Sequence, residues 1–156
     1  MLDQPEFQGL LAEKSTSIFM KETEYSAHVR DAIDQPGGVF ELRTYVTKPD
    51  RLAGLNQRFQ NHTAAIFNQY GIKNVGYWTP FDTPDSANTL IYLIHHANRM
   101  QAETNWKAFT ADPEWQDAKR KSEGDEEILA RSPERIFLRS MDFLPNARSR
   151  PADERK

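Results

Sequence analysis

Two adjacent histidines are the first residues in the sequence whose type and spacing point to chemistry. His95 and His96 end an apolar segment that begins at Asn88. Successive residues of a β-strand point to opposite faces of the sheet, so these two imidazoles cannot hold one metal ion together. We therefore expect no metal site there. One of the two should face the helices and the other the interior of a barrel, and the sequence leaves open which.

A barrel-facing histidine close to Arg43 and Tyr45 would provide the residue types needed for acid–base chemistry. Imidazole titrates near neutral pH and arginine stays charged, so such a group suits a general base or an oxyanion site. We take His96, Tyr45 and Arg43 as the catalytic candidates. The alternative is a histidine at a strand end that makes only a local hydrogen bond.

Polar and apolar residues alternate from Val39 to Val46, which predicts a β-strand. Glu41, Arg43 and Tyr45 share one face of this strand. A strand face that carries charge either meets water or lines a polar cavity. Glu41 and Arg43 are spaced for an ion pair, which would either orient a polar ligand or set the register of a dimer.

Composition excludes several classes of function. The chain has 156 residues, the size of one domain, and no cysteine, which removes thiol nucleophiles, Cys-ligated zinc and iron–sulfur clusters. Its formal net charge of −3 lacks the basic surplus that gripping nucleic acid requires. The sequence also contains no Gly-rich phosphate loop, nucleophile elbow or zinc-binding helix motif. We expect no cofactor, no metal and no nucleic-acid partner.

The sequence shows no sign of a membrane or export segment. No apolar run approaches the length of a membrane span, and the first residues are acidic where a signal or transit peptide would be basic. We therefore expect no membrane span and a cytoplasmic protein.

The elements that must position the candidate residues follow from turn signals, cap residues and apolar periodicity. They are a strand at 39–46, a helix from Pro49 to Gly71, strands at 73–79 and 88–96, a helix capped by Asn98 that restarts after Asp112, and a strand at 135–143. His62 falls on the apolar stripe of the first helix. The order predicts an α+β, ferredoxin-like βαββαβ fold, with a four-stranded antiparallel sheet and two helices on one face.

Helices on one face leave the other face of the sheet uncovered. We expect the uncovered face to carry Tyr45, Tyr77 or Trp78, and Tyr92. An aromatic surface of this kind favours covering by a second copy, so we expect a homodimer whose two sheets form a dimeric α+β barrel. The candidate ligand-binding residues lining that barrel are Glu41, Arg43, Tyr45, Tyr77, Tyr92 and His96.

The segment before residue 38 does not fit this unit but echoes its end. Ile18-Phe19-Met20-Lys21 resembles Ile136-Phe137-Leu138-Arg139. The echo indicates the remnant of a duplicated domain, which would add a strand at 17–25 to the edge of a sheet in its own or a partner subunit. We divide the chain into an N-terminal extension at 1–37, a domain at 38–145 and a polar tail at 146–156 that we expect to be disordered.

Three short motifs in the domain resemble those of the NIPSNAP family. Glu41 to Tyr45 (ELRTY) with Lys48-Pro49 is similar to the family's opening motif. Val75 to Thr79 resembles its VGxWT strand, and Trp106 to Gln116 its helix with a DPEW-type motif. The likeness runs from about Val39 to Pro145. It implies a dimeric α+β barrel, in a superfamily that includes cofactor-independent monooxygenases, dismutase-like haem proteins and small-ligand enzymes.

Three hypotheses about function follow. Most NIPSNAP proteins have no settled reaction, so the first is a barrel of unassigned activity that binds a small apolar or aromatic ligand. The second is a cofactor-independent monooxygenase-like enzyme with a pocket containing Arg43, Tyr45 and a histidine. The third is a protein-interaction module that uses the N-terminal strand. Many relatives carry an HxWxY pattern on the third strand, where this chain has Tyr92-Leu93-Ile94-His95-His96.

Overall fold

A five-stranded antiparallel sheet with helices packed on one face forms the core of the protein. The structure is a computed structural model that describes residues 16–27, 29 and 37–139. The strands are β1 (Met20–Glu22), β2 (Val39–Val46), β3 (Lys73–Pro80), β4 (Thr89–His96) and β5 (Glu134–Leu138), and their order in the sheet is β1-β3-β4-β2-β5. The first 15 residues of the N-terminal extension, the end of the predicted strand at 135–143 from residue 140 onward, and the tail at 146–156 lie outside the described residues.

The sheet has one strand more than the four that we expected. The additional strand is β1, which pairs with the edge of β3 so that Met20 lies opposite Pro80 and Glu22 opposite Trp78. It falls within the 17–25 segment that the internal echo predicted, and it joins the sheet of its own subunit. An edge strand has unpaired backbone groups, and here β1 satisfies those of β3.

Within residues 37–139, three helices pack on the sheet rather than two, because the break before Asp112 separates two helices. The first, α1, runs through Leu52–Arg58, a π-helical segment Phe59–Thr63 and Ala64–Gln69. The others are α2 (Arg99–Thr110) and α3 (Pro113–Glu123). Asn98 caps α2 by accepting a hydrogen bond from the Gln101 N–H, and Asp112 caps α3 by accepting one from the Trp115 N–H, as predicted.

The π-helical segment changes which side chains α1 buries. The Ala64 N–H donates to the Phe59 carbonyl, five residues back, instead of to the residue four back. His62, which we predicted on the buried stripe, is exposed, and its neighbour Thr63 is buried beside Phe59. The prediction for His62 was wrong because a π-helical turn holds more residues than the α-helical turn assumed.

The three tyrosines expected on the uncovered face of the sheet lie on the opposite face, under the helices. Tyr77 and Tyr92 are fully buried, and Tyr45 packs edge-on against Phe59 of α1. Trp78, the alternative to Tyr77, faces the open side across from Ile91. The expected placement was wrong because strand alternation separates two faces without saying which one the helices cover.

The opposite face of the sheet, which no helix among the described residues covers, is therefore apolar but carries none of the three tyrosines. Every second residue of β2, beginning with Phe40, points to this face. These residues lie opposite residues of β4 and β5 that point the same way. Its apolar side chains include Phe40, Leu42, Trp78, Leu93, Ile136 and Leu138. In the described part of the chain, no helix is long and apolar enough to cross a membrane.

Candidate functional site

A fully buried carboxylate, Glu41, is the centre of the candidate site. It lies in the middle of the sheet on β2, beneath α2, and none of its surface is exposed. Its Oε2 atom accepts hydrogen bonds from His96 Nε2 at 2.9 Å and Trp106 Nε1 at 2.7 Å, and its Oε1 from Arg43 Nη1 at 2.9 Å. Burial raises the pKa of Glu41, but these hydrogen bonds and the Arg43 charge outweigh it, so the pKa is lowered and the group is ionised.

Arg43 carries the positive charge that balances Glu41. Its guanidinium lies 4.2 Å from the centre of the Trp106 ring and 5.5 Å from that of Tyr45. Burial disfavours this charge, but Tyr92, Tyr45 and Glu41 more than offset that effect, and the pKa of Arg43 is raised. A cation held over aromatic faces and paired with a buried carboxylate is fixed in position. Its Nε atom is buried and has no hydrogen-bond partner among the described residues.

Two tyrosines continue the polar network from the arginine into the core. Tyr92 lies opposite Arg43 on the neighbouring strand, and its hydroxyl donates to the Tyr45 hydroxyl at 3.0 Å. Burial raises the pKa of Tyr92 well above its usual value, so this phenol stays protonated. Tyr77 stacks on Tyr92 with ring centres 5.4 Å apart, and its hydroxyl donates to Asn74.

The two histidines lie on opposite faces of β4, as the sequence required, and the structure shows which is which. His96 faces the helices and bonds to Glu41. His95 faces the open side of the sheet, where its ring packs edge-on against Phe40 and its Nε2 bonds to the Gly37 carbonyl at 3.0 Å. Of the two, only His96 joins the charged network, and its Nδ1 is buried with no partner in the described ranges.

Next to this network lies a partly open cavity of about 130 Å³, which we call the inner cavity. Its wall is mainly aromatic, with polar groups contributed by two arginines and two threonines. The lining side chains are Arg43, Tyr45, Arg58, Phe59, Thr63, Phe67, Trp106, Phe109, Thr110 and Trp115. A cavity of about 150 Å³ is known to hold benzene, so this space fits one six-membered ring.

The structure brings five of the six predicted ligand-binding residues into one network, but only Arg43 and Tyr45 line the inner cavity. Glu41, Tyr92 and His96 stand behind that wall and position it. Tyr77 lies further off, stacked on Tyr92. The network is on the helix side of the sheet, not in a barrel interior, because a charged pair can be buried under helices when its hydrogen bonds are satisfied.

Two polar cavity residues of α1 were missed from the sequence. They are Arg58 and Thr63, which are 6 % and 2 % exposed. Arg58 Nε and Thr63 Oγ1 are buried and have no hydrogen-bond partner in the part of the chain that the structure describes. The only sequence signal for the burial of Arg58 was its position three residues after the apolar Leu55. Arginines are rarely buried, so this spacing alone did not predict it.

A wider, open groove lies on the outer side of α1, between that helix and α3. Its volume is about 410 Å³, and its lining residues include Gln57, Arg58, Asn61, His62, Lys121 and Ser122. We call it the outer groove. Arg58 lines both the outer groove and the inner cavity, so its side chain separates the two spaces. Among the described residues, no group of histidines and carboxylates is arranged to hold a metal ion.

Comparison with known proteins gives one family. A family model described as NIPSNAP matches residues 40–145. Among solved structures, the fold is similar to an uncharacterized NIPSNAP-like domain protein from Burkholderia xenovorans, with a TM-score of 0.58 and 23 % identity over 71 % of this chain and 91 % of that one.

Two NIPSNAP family proteins from Agrobacterium tumefaciens are similar as well. One, of unknown function, has a TM-score of 0.56 and 17 % identity, covering 70 % of this chain and 93 % of that one. The other has a TM-score of 0.57 and 18 % identity, covering 69 % and 97 %. Identities this low show a shared fold and carry no activity with them. None of the curated proteins compared with the chain matches it.

Proposed function

This chain belongs to the NIPSNAP family, and we propose that it binds a small aromatic or apolar molecule of about one ring in its inner cavity. The observation that carries the proposal is the wall of that cavity. Six aromatic side chains surround a space of about 130 Å³ that the core has not filled. Protein interiors are normally close-packed, and an unfilled space costs stability, so a cavity lined for a ring favours a ligand.

Polar groups give this cavity a preferred ligand orientation. Arg43 is fixed by Glu41 and Trp106, and Tyr45 is fixed by Tyr92. A ligand-binding site is typically an apolar enclosure with a few polar groups held by their own partners. The buried network therefore serves as the rigid support of the cavity wall.

Titration with benzamide, a neutral single-ring probe, tests this proposal. We expect calorimetry to detect binding to the unaltered protein and no binding to Thr63→Leu, because the larger side chain fills the cavity. Thr63→Val is the matched control: it keeps the shape, removes a hydroxyl that has no partner, and should bind benzamide normally. Absence of binding to the unaltered protein, or equal binding to Thr63→Leu, would contradict the proposal.

We also propose that two copies associate through their uncovered sheet faces to form a dimeric α+β barrel. Strands β2 to β5 follow the order β3-β4-β2-β5, which is that of a ferredoxin-like sheet. The uncovered face carries half-buried or exposed apolar side chains, of which Ile136 is 56 % exposed. Large apolar patches are rarely left in water.

Native mass spectrometry tests the dimer and reports any retained ligand in the same spectrum. We expect a dimer, and we expect Ile136→Lys to shift it to monomer. Met100→Lys is the control, because Met100 is 78 % exposed on the helix side of the sheet. A monomeric unaltered protein, or a dimer that Ile136→Lys leaves intact, would contradict association through this face.

A second candidate function is cofactor-independent oxygenation of a phenolic ligand. It draws support from Arg43 and Tyr45 in the cavity wall, although no histidine lines that space in the described part of the chain. Oxygen uptake with a phenolic substrate, abolished in Tyr45→Phe while benzamide still binds, would favour this alternative. Benzamide binding without any oxygen uptake would leave ligand binding as the function.

A further inference from the structure

We propose that the free edge of the Arg58 guanidinium is a carboxylate-binding site, and that the ligand is an aromatic carboxylate whose charged end lies between the inner cavity and the outer groove. The inference rests on the proposed function, because it places the ring of the ligand in the inner cavity. It adds the chemical class of the ligand and a residue that the sequence did not reveal.

Arg58 uses only one nitrogen of its guanidinium for hydrogen bonds to the described residues. Its Nη1 atom donates to Ser122 Oγ at 3.0 Å and to Glu123 Oε1 at 3.3 Å. Its Nε is buried with no partner among the described residues. Its Nη2 donates to none of them. A planar carboxylate is bound bidentately by two parallel N–H groups of one guanidinium, and the Nε–Nη2 edge presents that pair.

An unused donor is costly where it is buried, as Arg58 Nε is. Arg58 is 6 % exposed, so water reaches little of it. A buried donor without an acceptor loses its hydration and regains nothing, so native proteins keep few such groups. A carboxylate bound at this edge would satisfy Arg58 Nε.

Arg58 borders two spaces, the inner cavity of about 130 Å³ and the outer groove of about 410 Å³. A carboxylate bound to its free edge would therefore lie between the ring-sized cavity and the groove. The π-helical segment directly follows Arg58, with Thr63 on the cavity side and His62 on the groove side. Arg58 therefore meets a ligand at the point where its buried part ends.

The charges around Arg58 leave it more available to an anion than Arg43. Its neighbour Glu123 competes with an anion, but at 3.3 Å it contacts only Nη1 and leaves the other edge free. Two more carboxylates line the groove: Glu114, and Asp117, which is neutralised by Lys121 at 2.6 Å and Arg120 at 2.7 Å. Arg43 is paired through its Nη1 as well, but more closely, at 2.9 Å, and with the fully buried Glu41.

Benzoate and benzamide form a matched pair for the test, since they share a shape and differ in charge. At neutral pH we expect benzoate to bind the unaltered protein about tenfold or more tightly than benzamide, the range of a charge-assisted bidentate contact. In Arg58→Gln the ratio of the benzoate affinity to the benzamide affinity should fall to about one. Glu123→Gln removes the competing carboxylate and keeps the arginine, so benzoate should bind more tightly still.

The possible results distinguish the carboxylate site, its assignment to Arg58 and the proposed cavity from one another. If Arg58→Gln fails to fold, Arg58→Lys, which keeps the charge but not the two-pronged geometry, should still lose most of the preference. Equal affinity for the two probes in the unaltered protein would overturn the carboxylate site and leave the proposed cavity intact. A preference that survives in Arg58→Lys and vanishes in Arg43→Lys would overturn the assignment to Arg58. Failure of both probes to bind would refute the proposed function itself.

Discussion

Replacing Glu41 by glutamine tests whether the buried network holds its charges as described. The substitution keeps the shape of the side chain but removes its charge. An amide has one acceptor oxygen and one NH₂ group, and Glu41 accepts from three donors. If the amide oxygen keeps His96 and Trp106, the NH₂ group must face the Arg43 Nη1 atom, which is also a donor.

The expected loss of stability follows from the buried Arg43 cation, which the substitution leaves without its counter-charge. A hydrogen bond to a charged group contributes about 1.5–3 kcal/mol, and breaking a buried ion pair costs about 3–5 kcal/mol because one charge stays uncompensated. The Arg43 side chain is 12 % exposed, so water relieves part of this cost. We expect the free energy of unfolding to fall by about 3 kcal/mol, which corresponds to about 6–12 °C in Tm for a chain of this size.

Urea denaturation of Glu41→Gln beside Glu126→Gln measures this effect. Glu126 is the control because its pair with Lys48 is exposed, and pairs of that kind contribute about 1 kcal/mol or less. The double variant Glu41→Gln with Arg43→Met removes the uncompensated cation and should recover part of the lost stability. A loss below about 1 kcal/mol in Glu41→Gln, or no recovery in the double variant, would refute the account of this pair.

Two further predictions follow from the same structure. Folding lowers the pKa of Glu41, so the contribution of its charge to stability is complete above the ordinary pKa of 4.5 and is lost as the pH falls below that value. When the free energy of unfolding is measured at decreasing pH, the unaltered protein and Glu41→Gln should therefore become more similar. A difference that stays constant with pH would contradict this. A methyl group at Gly76 would collide with the indole of Trp78, so Gly76→Ala should lower the free energy of unfolding by about 1–3 kcal/mol. At Gly54 in α1 the added methyl meets open space, so the control Gly54→Ala should instead stabilise the protein by about 0.5–1 kcal/mol. Thermal denaturation followed by tryptophan fluorescence measures both, and equal effects at the two sites would show that the collision is absent.

The sequence predicts most of the elements well, because local signals determine them. Asn98 and Asp112 were recognised as helix caps from residue type and position, and both make the expected bonds. Strand β2 agrees with its predicted range, and β3 and β4 agree within one residue. The family motifs fall in the same region, and residues 40–145 match the family model.

The orientation of the sheet was beyond what the sequence specifies. Alternation placed Glu41, Arg43 and Tyr45 together, which is correct, but the covered face was not predicted because burial of a charge depends on partners distant in sequence. Glu41 is satisfied by His96 and Trp106, which are 55 and 65 residues away along the chain. The π-helical segment, which exposes His62 and buries Thr63, also has no sequence signal of its own.

The pairing order of the strands has a consequence for how the protein is made. Strand β2 is the first strand of the family domain to be synthesised, and it lies between β4 and β5, the last two. The contact of β2 with β5 joins residues as far apart as Phe40 and Leu138. Until β5 has left the ribosome, β2 has one unpaired edge, which is the kind of surface that recruits other strands. Because such distant contacts must form, we expect folding to be slower than that of a helical bundle of the same size.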